Sequence, residues 1–217
     1  EEAKLGVEFF LGAGAGFYNS PYFDWTDGYR ISVCRYFGNG MEESDTNYAG
    51  PNIETDGWGL TLWAARMVVE YSCDLEWLNQ RTWQGDTVFE ALTTIARNIE
   101  DQISNNLPWP DNSIWETHWD KREIFSYTVA TQLRGLYDFS HIADAAGSKD
   151  LAAHFRTLAD LMLEAAKEQL VYQPQQSFAS HQGVANQDVH VDGSTLEFLH
   201  WGLVETTDPI FEGTLNQ

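Results

Sequence analysis

The residues whose types and spacing could support chemistry lie around Glu116, in a segment rich in tryptophan and proline. Glu116 directly follows Trp115, and Trp119 comes three residues later. Indole rings exclude water from a nearby carboxyl group, and a desolvated carboxyl group keeps its proton to higher pH. Such an acid could protonate the leaving oxygen in glycoside cleavage, with a second carboxylate opposite it. The alternative is a surface carboxylate near a loop end, and this local pattern does not separate the two.

The charge balance restricts the partners. Thirty-three acidic residues stand against twelve basic ones, which gives a formal net charge of −21. This charge repels phosphate groups, so nucleic acid and anionic lipid are not expected as partners. No run of about 18 apolar residues is present, so no membrane span is predicted. Neutral ligands such as sugars remain possible, and solubility or adaptation to salt also accounts for the charge.

Other reactive residue types show no motif of their own. Histidines and aspartates cluster late in the chain without the spacing of a transition-metal site, so no such metal is predicted. We expect no organic cofactor, although loop carboxylates could hold a structural Ca²⁺. The two cysteines lack zinc spacing and are predicted to be buried thiols, with a disulfide as the alternative. The residues concerned are His181, Asp188, His190, Asp192, Cys34 and Cys73.

Apolar residues repeating every three or four positions predict helices along most of the chain. The first four expected helices run from Gly57 to about Ser72, from an N-cap at Asp86, from about Glu123 to Ala146, and from an N-cap at Ser148 to Pro174. A shorter helix is expected from Gly193 to about Gly202, with Leu196, Leu199 and His200 facing inward. A last helix is expected to begin at Asp208-Pro209. Residues 1–11 are predicted to end a helix that begins earlier. A short strand signal is confined to residues 29–33.

The predicted connections are of two kinds. Gly147-Ser148 is tight, whereas residues 12–56, 105–122 and 172–192 form long loops of the kind that often carry function. Helical hairpins that alternate tight and long connections indicate an all-α toroid with the long loops at one mouth. Several tryptophans lie in these loops, where they could stack on sugar rings or cover the core. They are Trp25, Trp83, Trp109, Trp115 and Trp119.

Three segments resemble glycoside hydrolase family 15, the glucoamylase and glucodextranase family, in the same order along the chain. The most specific is Leu107-Pro108-Trp109-Pro110-Asp111-Asn112-Ser113-Ile114-Trp115-Glu116 with the later Phe125-Ser126-Tyr127-Thr128. The other two are residues 50–64, which contain Glu54-Thr55-Asp56-Gly57-Trp58, and Val191-Asp192-Gly193-Ser194-Thr195-Leu196 with Thr207-Asp208-Pro209. The resemblance covers roughly residues 45–217.

The resemblance implies an (α/α)6 barrel that releases terminal glucose from α-linked glucans with inversion. By position, Glu116 matches the general acid and Trp115 an aromatic wall of the sugar pocket. Glu54 or Asp56 matches a sugar-binding carboxylate, and the local match does not separate them. Thr117 and His118 replace the acid and the arginine often found after the general acid, which keeps trehalose or an α-1,6-glucan possible as substrate. Together with Trp119, they are candidate substrate contacts.

The resemblance also implies that the general base lies outside this chain. We therefore expect residues 1–217 to be part of one catalytic domain, truncated at both ends and inactive in isolation. The remainder of the barrel would come from the same polypeptide. A non-catalytic carbohydrate-binding or regulatory module on the same fold is the alternative. The use of polysaccharide favours an extracytoplasmic or secreted location, which the residues themselves do not determine.

Overall fold

The computed structural model of the protein describes residues 2–14, 29–43, 53–115, 122–183 and 192–216. The helices in these ranges are α1 (Glu2–Gly12), α2 (Asp56–Ser72), α3 (Val88–Asp101), α4 (Ser126–Ala145), α5 (Lys149–Gln169), α6 (Glu197–His200) and α7 (Pro209–Leu215). Three antiparallel pairs of two-residue strands join them: β1 (Arg35–Tyr36) with β2 (Glu42–Glu43), β3 (Ile103–Ser104) with β4 (Leu107–Pro108), and β5 (Val171–Tyr172) with β6 (Ser177–Phe178). The predicted all-α class is confirmed.

Helices α2 and α4 pack directly against each other and form the inside of the structure. Their main chains meet at Gly59 and Gly135, where a side chain would not fit. A Cβ atom on Gly59 would lie 2.1 Å from the carbonyl oxygen of Thr131. Most residues of α4 are buried, which is expected of a helix covered on several sides.

Helices α3 and α5 lie outside the α2–α4 pair and present a single buried stripe each. The stripe of α3 includes Leu92, Ile95 and Ile99, and that of α5 includes Phe155 and Met162. Phe155 packs edge-on against Phe139 of α4 at a centroid distance of 5.1 Å. Inner and outer helices thus alternate along the chain, and the helices form part of an (α/α)6 barrel.

Inner helices α2 and α4 point in the same direction. Thr55 immediately precedes α2, and its hydroxyl oxygen accepts a hydrogen bond of 3.0 Å from the Gln132 amide in the second turn of α4. The N-terminal ends of both helices therefore lie at the same end of the structure.

Several predicted boundaries shift in the structure. The N-cap of α3 is Thr87, whose hydroxyl accepts from the backbone N–H of Glu90 in a complete capping box, so the prediction of Asp86 was wrong. Asp86 instead pairs with Arg30 at 2.7 Å. Helix α4 begins at Ser126 because Glu123 and Phe125 pair in extended conformation with Asp111 and His181.

The end of α5 and the segment after it also differ from prediction. The helix ends at Gln169 rather than near Pro174, because the chain then turns back through the β5–β6 hairpin. Gly147, with a φ of 82°, follows α4 as predicted. Ser148 occupies the N-cap position of α5 without a capping hydrogen bond from its side chain.

The predicted helix at residues 193–202 is a 3-10 turn, Gly193–Leu196, followed by α6. Its inward residue is Phe198, which stacks on Phe178 with a centroid distance of 3.9 Å. Leu196 and His200 are exposed, and Leu199 is half-buried. The prediction that Leu196 and His200 face inward was therefore wrong. The 3-10 turn has fewer residues per turn than an α-helix, so its side chains point in different directions from those of the predicted helix. Asp208 and Pro209 start α7 as predicted.

The strand predicted at residues 29–33 is also absent, although this segment is described. Tyr29, Ile31 and Val33 are buried in an irregular segment, and Ile31 accepts a hydrogen bond of 2.8 Å from the Trp58 indole. The two cysteines form no disulfide; Cys34 is half-buried and Cys73 exposed, so neither is the predicted buried thiol. Within the described ranges, every helix is too short or too polar to cross a membrane.

Candidate active site

The described parts of the three long loops meet at the N-terminal ends of α2 and α4. Asn112 and Ile53 form a reciprocal pair: the Asn112 N–H donates to the Ile53 carbonyl at 2.7 Å, and the Ile53 N–H donates to Asn112 Oδ1 at 2.8 Å. Asp111 and Glu123 exchange two backbone hydrogen bonds of 3.0 Å. The Ser126 N–H donates to the carbonyl of Ser180 at 2.9 Å. The predicted gathering of long loops is thus observed for these segments.

Asp111 lies at the centre of this junction and is fully buried. One of its carboxylate oxygens, Oδ2, accepts from the N–H and the hydroxyl of Thr55, both at 3.0 Å. The hydroxyl of Thr128 donates to the carboxylate at 3.1 Å. Burial raises the pKa of Asp111 to about 7, against the lowering effect of the Thr55 hydrogen bonds, and the nearby charge of Asp56 raises it further. The side chain therefore joins the starts of two helices.

Asp56 is the first residue of α2 and is 6% exposed. Burial raises its pKa to about 6, although its own N–H and that of Gly57 favour the charged form. Burial, followed by the charges of Asp56 and Glu197, raises the pKa of Tyr127 to about 12. A phenol on α4 therefore lies within electrostatic reach of two carboxylates, one from α2 and one from α6.

Glu54 and Asp56 line one end of an open groove of about 1100 Å³ between α1 and α2. The remainder of the groove is mostly apolar, with Phe9 on α1 and Leu60 and Met67 on α2 along its walls. Carboxylate hydrogen-bond acceptors are therefore available at the end of the groove lined by Glu54 and Asp56. The apolar walls do not offer comparable acceptors.

The structure brings some of the sequence-predicted residues together. Glu54 is half-buried and two residues from Asp56, and both adjoin the segment that ends at the 3-10 turn Ser113–Trp115. The backbone of Trp115 is described, whereas Glu116, Thr117, His118 and Trp119 lie outside the described residues.

The loop tryptophans fall into different settings. Trp83 is 88% exposed, and Trp109 is half-buried against the core. Trp25 and Trp119 lie outside the described residues. Trp109 therefore covers the core, which was the alternative to stacking on sugar rings.

Sequence reasoning did not identify Asp111, Tyr127, Thr128 or Gln132 as site residues. A signal was present, because Thr128, Thr131 and Gln132 place polar side chains on the buried surface of α4. Buried polar groups require partners, so this cluster indicated a specific contact rather than simple packing. Asp111 itself is part of the quoted Trp-Pro-Asp-Asn run, but its burial depends on α2 and α4 together.

The described members of the histidine and aspartate cluster have local structural partners. His181 Nδ1 lies 2.9 Å from the Ser180 hydroxyl, and the Asp192 carboxylate accepts from the Ser194 N–H at 2.9 Å. Asp188 and His190 lie outside the described residues. Among the residues that the structure describes, no three His, Cys, Asp or Glu side chains are grouped to hold a metal ion.

No protein-family model matches the chain, and no curated protein matches it. A solved structure named "Glycosidase F290Y" is similar, with a TM-score of 0.54 and 20% sequence identity. The match covers 78% of this chain and 40% of that chain. The chain therefore spans less than half of the length of the structure it matches. It shares the helical fold of the matched part of that structure.

Proposed function

We propose that the chain is part of a glycoside hydrolase that releases terminal glucose from α-linked glucans with inversion. Glu116 acts as the general acid, and a base outside residues 1–217 activates water from the opposite side. Trp115 forms an aromatic wall of the sugar pocket, and Thr117, His118 and Trp119 contact the substrate. The similarity of fold to a structure named as a glycosidase supports the reaction class.

The observation that carries this proposal is the hydrogen-bonded junction between two loops. Residues 111–115 lead directly to Glu116, and they are tied to residues 53–55, which lead directly to Asp56. The candidate acid and a candidate sugar-binding carboxylate therefore each follow directly, in the chain, a segment of the same hydrogen-bonded junction. Glycoside cleavage needs this kind of arrangement, in which a proton donor and sugar-holding groups are positioned together.

Asp56 supports a sugar-binding role through its placement. It combines burial with access to the end of the groove, and its charge acts on the Tyr127 phenol. A carboxylate in such a setting accepts hydrogen bonds from sugar hydroxyls in strong, charge-assisted form. Glu54 lines the same end of the groove and is the alternative for this role.

The test uses the full-length gene product with a panel of maltose, isomaltose, trehalose and dextrins, and records both glucose release and the anomer of the product. We expect release of glucose as the inverted anomer. The Glu116→Gln variant should lose roughly 10²–10⁴-fold in kcat and retain its affinity for glucose. Glu123→Gln is the matched control, because Glu123 is an exposed glutamate of the same region.

Near-native turnover by the Glu116→Gln variant contradicts the assignment of the acid. Absence of glucose release from every substrate contradicts the hydrolase, and binding of dextrin by that inactive protein then indicates the non-catalytic module. Preference for trehalose or isomaltose within the panel moves the substrate away from starch-type glucans while leaving the reaction type unchanged.

A further inference from the structure

We propose that Asp111 is a positioning residue that holds the segment carrying Glu116 in register with the sugar-binding segment at Asp56. The inference deepens the proposed function and rests on it. Asp111 precedes Glu116 by five residues and contacts both Thr55 and Thr128 through its carboxylate. It acts through the placement of Glu116 rather than by touching substrate.

The hydrogen bonds around Asp111 form a continuous chain across two helices. Gln132 donates to the Thr55 hydroxyl oxygen at 3.0 Å, and that hydroxyl in turn donates to Asp111 at 3.0 Å. Thr128 donates from the first turn of α4 on the other side. Displacement of Asp111 therefore breaks contacts to α2 and to α4 at once.

The backbone beside Asp111 continues the connection toward Glu116. Asn112 pairs reciprocally with Ile53, so two consecutive residues of the loop are fixed to the segment before α2. Ser113 follows with a φ of 49°, in the left-handed region that residues other than glycine rarely adopt. Since this local conformation is unfavourable for serine, tertiary contacts must impose it.

Ser113 supplies a second sign that the loop is held from outside. Its side chain is fully buried, and its hydroxyl has no hydrogen-bond partner among the described residues. A loop free to relax would expose this hydroxyl to water or bring it to an acceptor. The contacts of Asp111 and Asn112 are the described interactions that oppose this relaxation.

A simple structural role for Asp111 makes a different prediction from a positioning role. Loss of stability alone lowers the amount of folded enzyme, and loss of the Asp111 ionisation moves the pH profile of kcat equally in Asp111→Asn and Asp111→Ala. In the proposed function the proton stays on Glu116 because its carboxyl group is shielded from water, so displacement of that group toward water should lower its pKa. The basic limb of the kcat profile, which reports ionisation of the general acid, then moves to lower pH.

The experiment compares Asp111→Asn, Asp111→Ala and Asp138→Asn in the full-length enzyme. Asp138 is the matched control because it is also a buried aspartate with a raised pKa, but it lies farther along α4 and pairs with Arg134. We expect Asp111→Ala to lower kcat by roughly 10–100-fold with KM changed by about twofold at most. Its basic limb should move down by roughly one pH unit, with a smaller shift in Asp111→Asn.

Hydrogen exchange provides a readout that does not depend on turnover. Amides of residues 53–55 and 112–115 should exchange at least about tenfold faster in Asp111→Ala than in the wild type and in Asp138→Asn. If wild-type enzyme hydrolyses no glycoside, the proposed function fails while this measurement still reports on the junction. If Asp111→Ala does not fold, Thr128→Val removes one donor from the same carboxylate and takes its place.

Unchanged exchange at residues 53–55 and 112–115 in a folded variant overturns the inference. So does a lowered kcat with an unchanged pH profile, since that result describes loss of stability alone. An equal shift of the pH profile in Asp138→Asn also overturns it, because the effect then belongs to any buried aspartate in or beside α4.

Discussion

Gly59 of α2 and Gly135 of α4 lie against each other with no side chain between them. A Cβ atom on Gly135 would lie 2.6 Å from the Cα of Gly59 and 2.7 Å from its carbonyl oxygen. Each helix therefore fixes the distance at which the other can pack. Both helices begin at the candidate active site, so this contact also sets the spacing of the residues there.

Gly59→Ala should destabilise the fold strongly, because its new methyl group would lie 2.1 Å from the main-chain oxygen of Thr131. We expect a loss of at least roughly 2–4 kcal/mol in the free energy of unfolding, measured by denaturant titration. Gly57→Ala is the matched control in the same helix, where no atom lies within 4 Å of the added carbon. Equal stability of the two variants contradicts the close contact.

The buried carboxyl of Asp111 should make stability depend on pH. Its pKa is raised from 3.8 to about 7 by burial, so the folded state holds this proton more tightly than the unfolded state. Its contribution is fully present below pH 4 and is lost as the pH rises toward 7. Asp111→Asn should therefore weaken the decline in unfolding free energy between pH 4.5 and 7.5, as measured by urea titration at both pH values.

Asp138 provides a comparison for that measurement, because burial raises its pKa to about 6 while Arg134 opposes the rise. Asp138→Asn should change the decline in unfolding free energy mainly below pH 6. A wild-type decline that persists in full in Asp111→Asn contradicts the assignment of that pH dependence to Asp111.

Asp56 should make sugar binding dependent on pH. Its pKa of about 6 means that the carboxylate form, which accepts hydrogen bonds from hydroxyl groups, is lost as the pH falls below 6. The affinity of the Glu116→Gln enzyme for glucose should fall roughly three- to tenfold from pH 7.5 to pH 5, measured by calorimetry. Adding Asp56→Asn should remove this dependence.

Glu54→Gln on the same background separates the two carboxylates that the sequence left as alternatives. If the pH dependence persists with Asp56→Asn and disappears with Glu54→Gln, the sugar contact belongs to Glu54. Both variants retain a polar side chain of similar size, so a difference between them reports on charge rather than on shape.

Thr87 should stabilise the start of α3 through its capping box with Glu90. The Thr87 hydroxyl accepts from the Glu90 N–H at 3.1 Å, and the Glu90 carboxylate accepts from the Thr87 N–H at 2.7 Å. Thr87→Ala should lower the unfolding free energy by about 1 kcal/mol in a thermal or denaturant titration. Thr94→Ala, at an exposed position inside the same helix, should cost less, and the reverse order contradicts the cap.

The capping residue of α3 illustrates what local sequence determines and what it does not. Asp86 and Thr87 are both good N-cap residues, and the apolar stripe of α3 does not choose between them. The choice follows from Arg30, 56 positions earlier, which binds Asp86 with two hydrogen bonds of 2.7 and 2.9 Å. The repeat of apolar residues therefore predicted the helix, whereas a distant ion pair determined where it begins.

At the candidate site, too, local sequence indicates some of the residues, whereas tertiary contacts determine the others. The Trp115-Glu116 segment and the Glu54-Thr55-Asp56 segment were identified as candidates through their resemblance to a glycoside hydrolase family. The role of Asp111 was not, because its burial arises only when α2 and α4 pack side by side. Its partners, Thr55 and Thr128, are 56 and 17 positions away. Tertiary contacts of this kind do not produce a periodic pattern of residue types in the sequence.

The glycine contact between α2 and α4 restricts how specificity can evolve in this scaffold. Since main-chain atoms alone set the separation of the two helices at that point, exchange of core side chains elsewhere alters the width of the mouth very little. Insertions and replacements in the long loops change the ligand-facing surface without disturbing this separation. Under the proposed function, specificity for different saccharides would therefore change through the loops, while the packing of α2 against α4 stays the same.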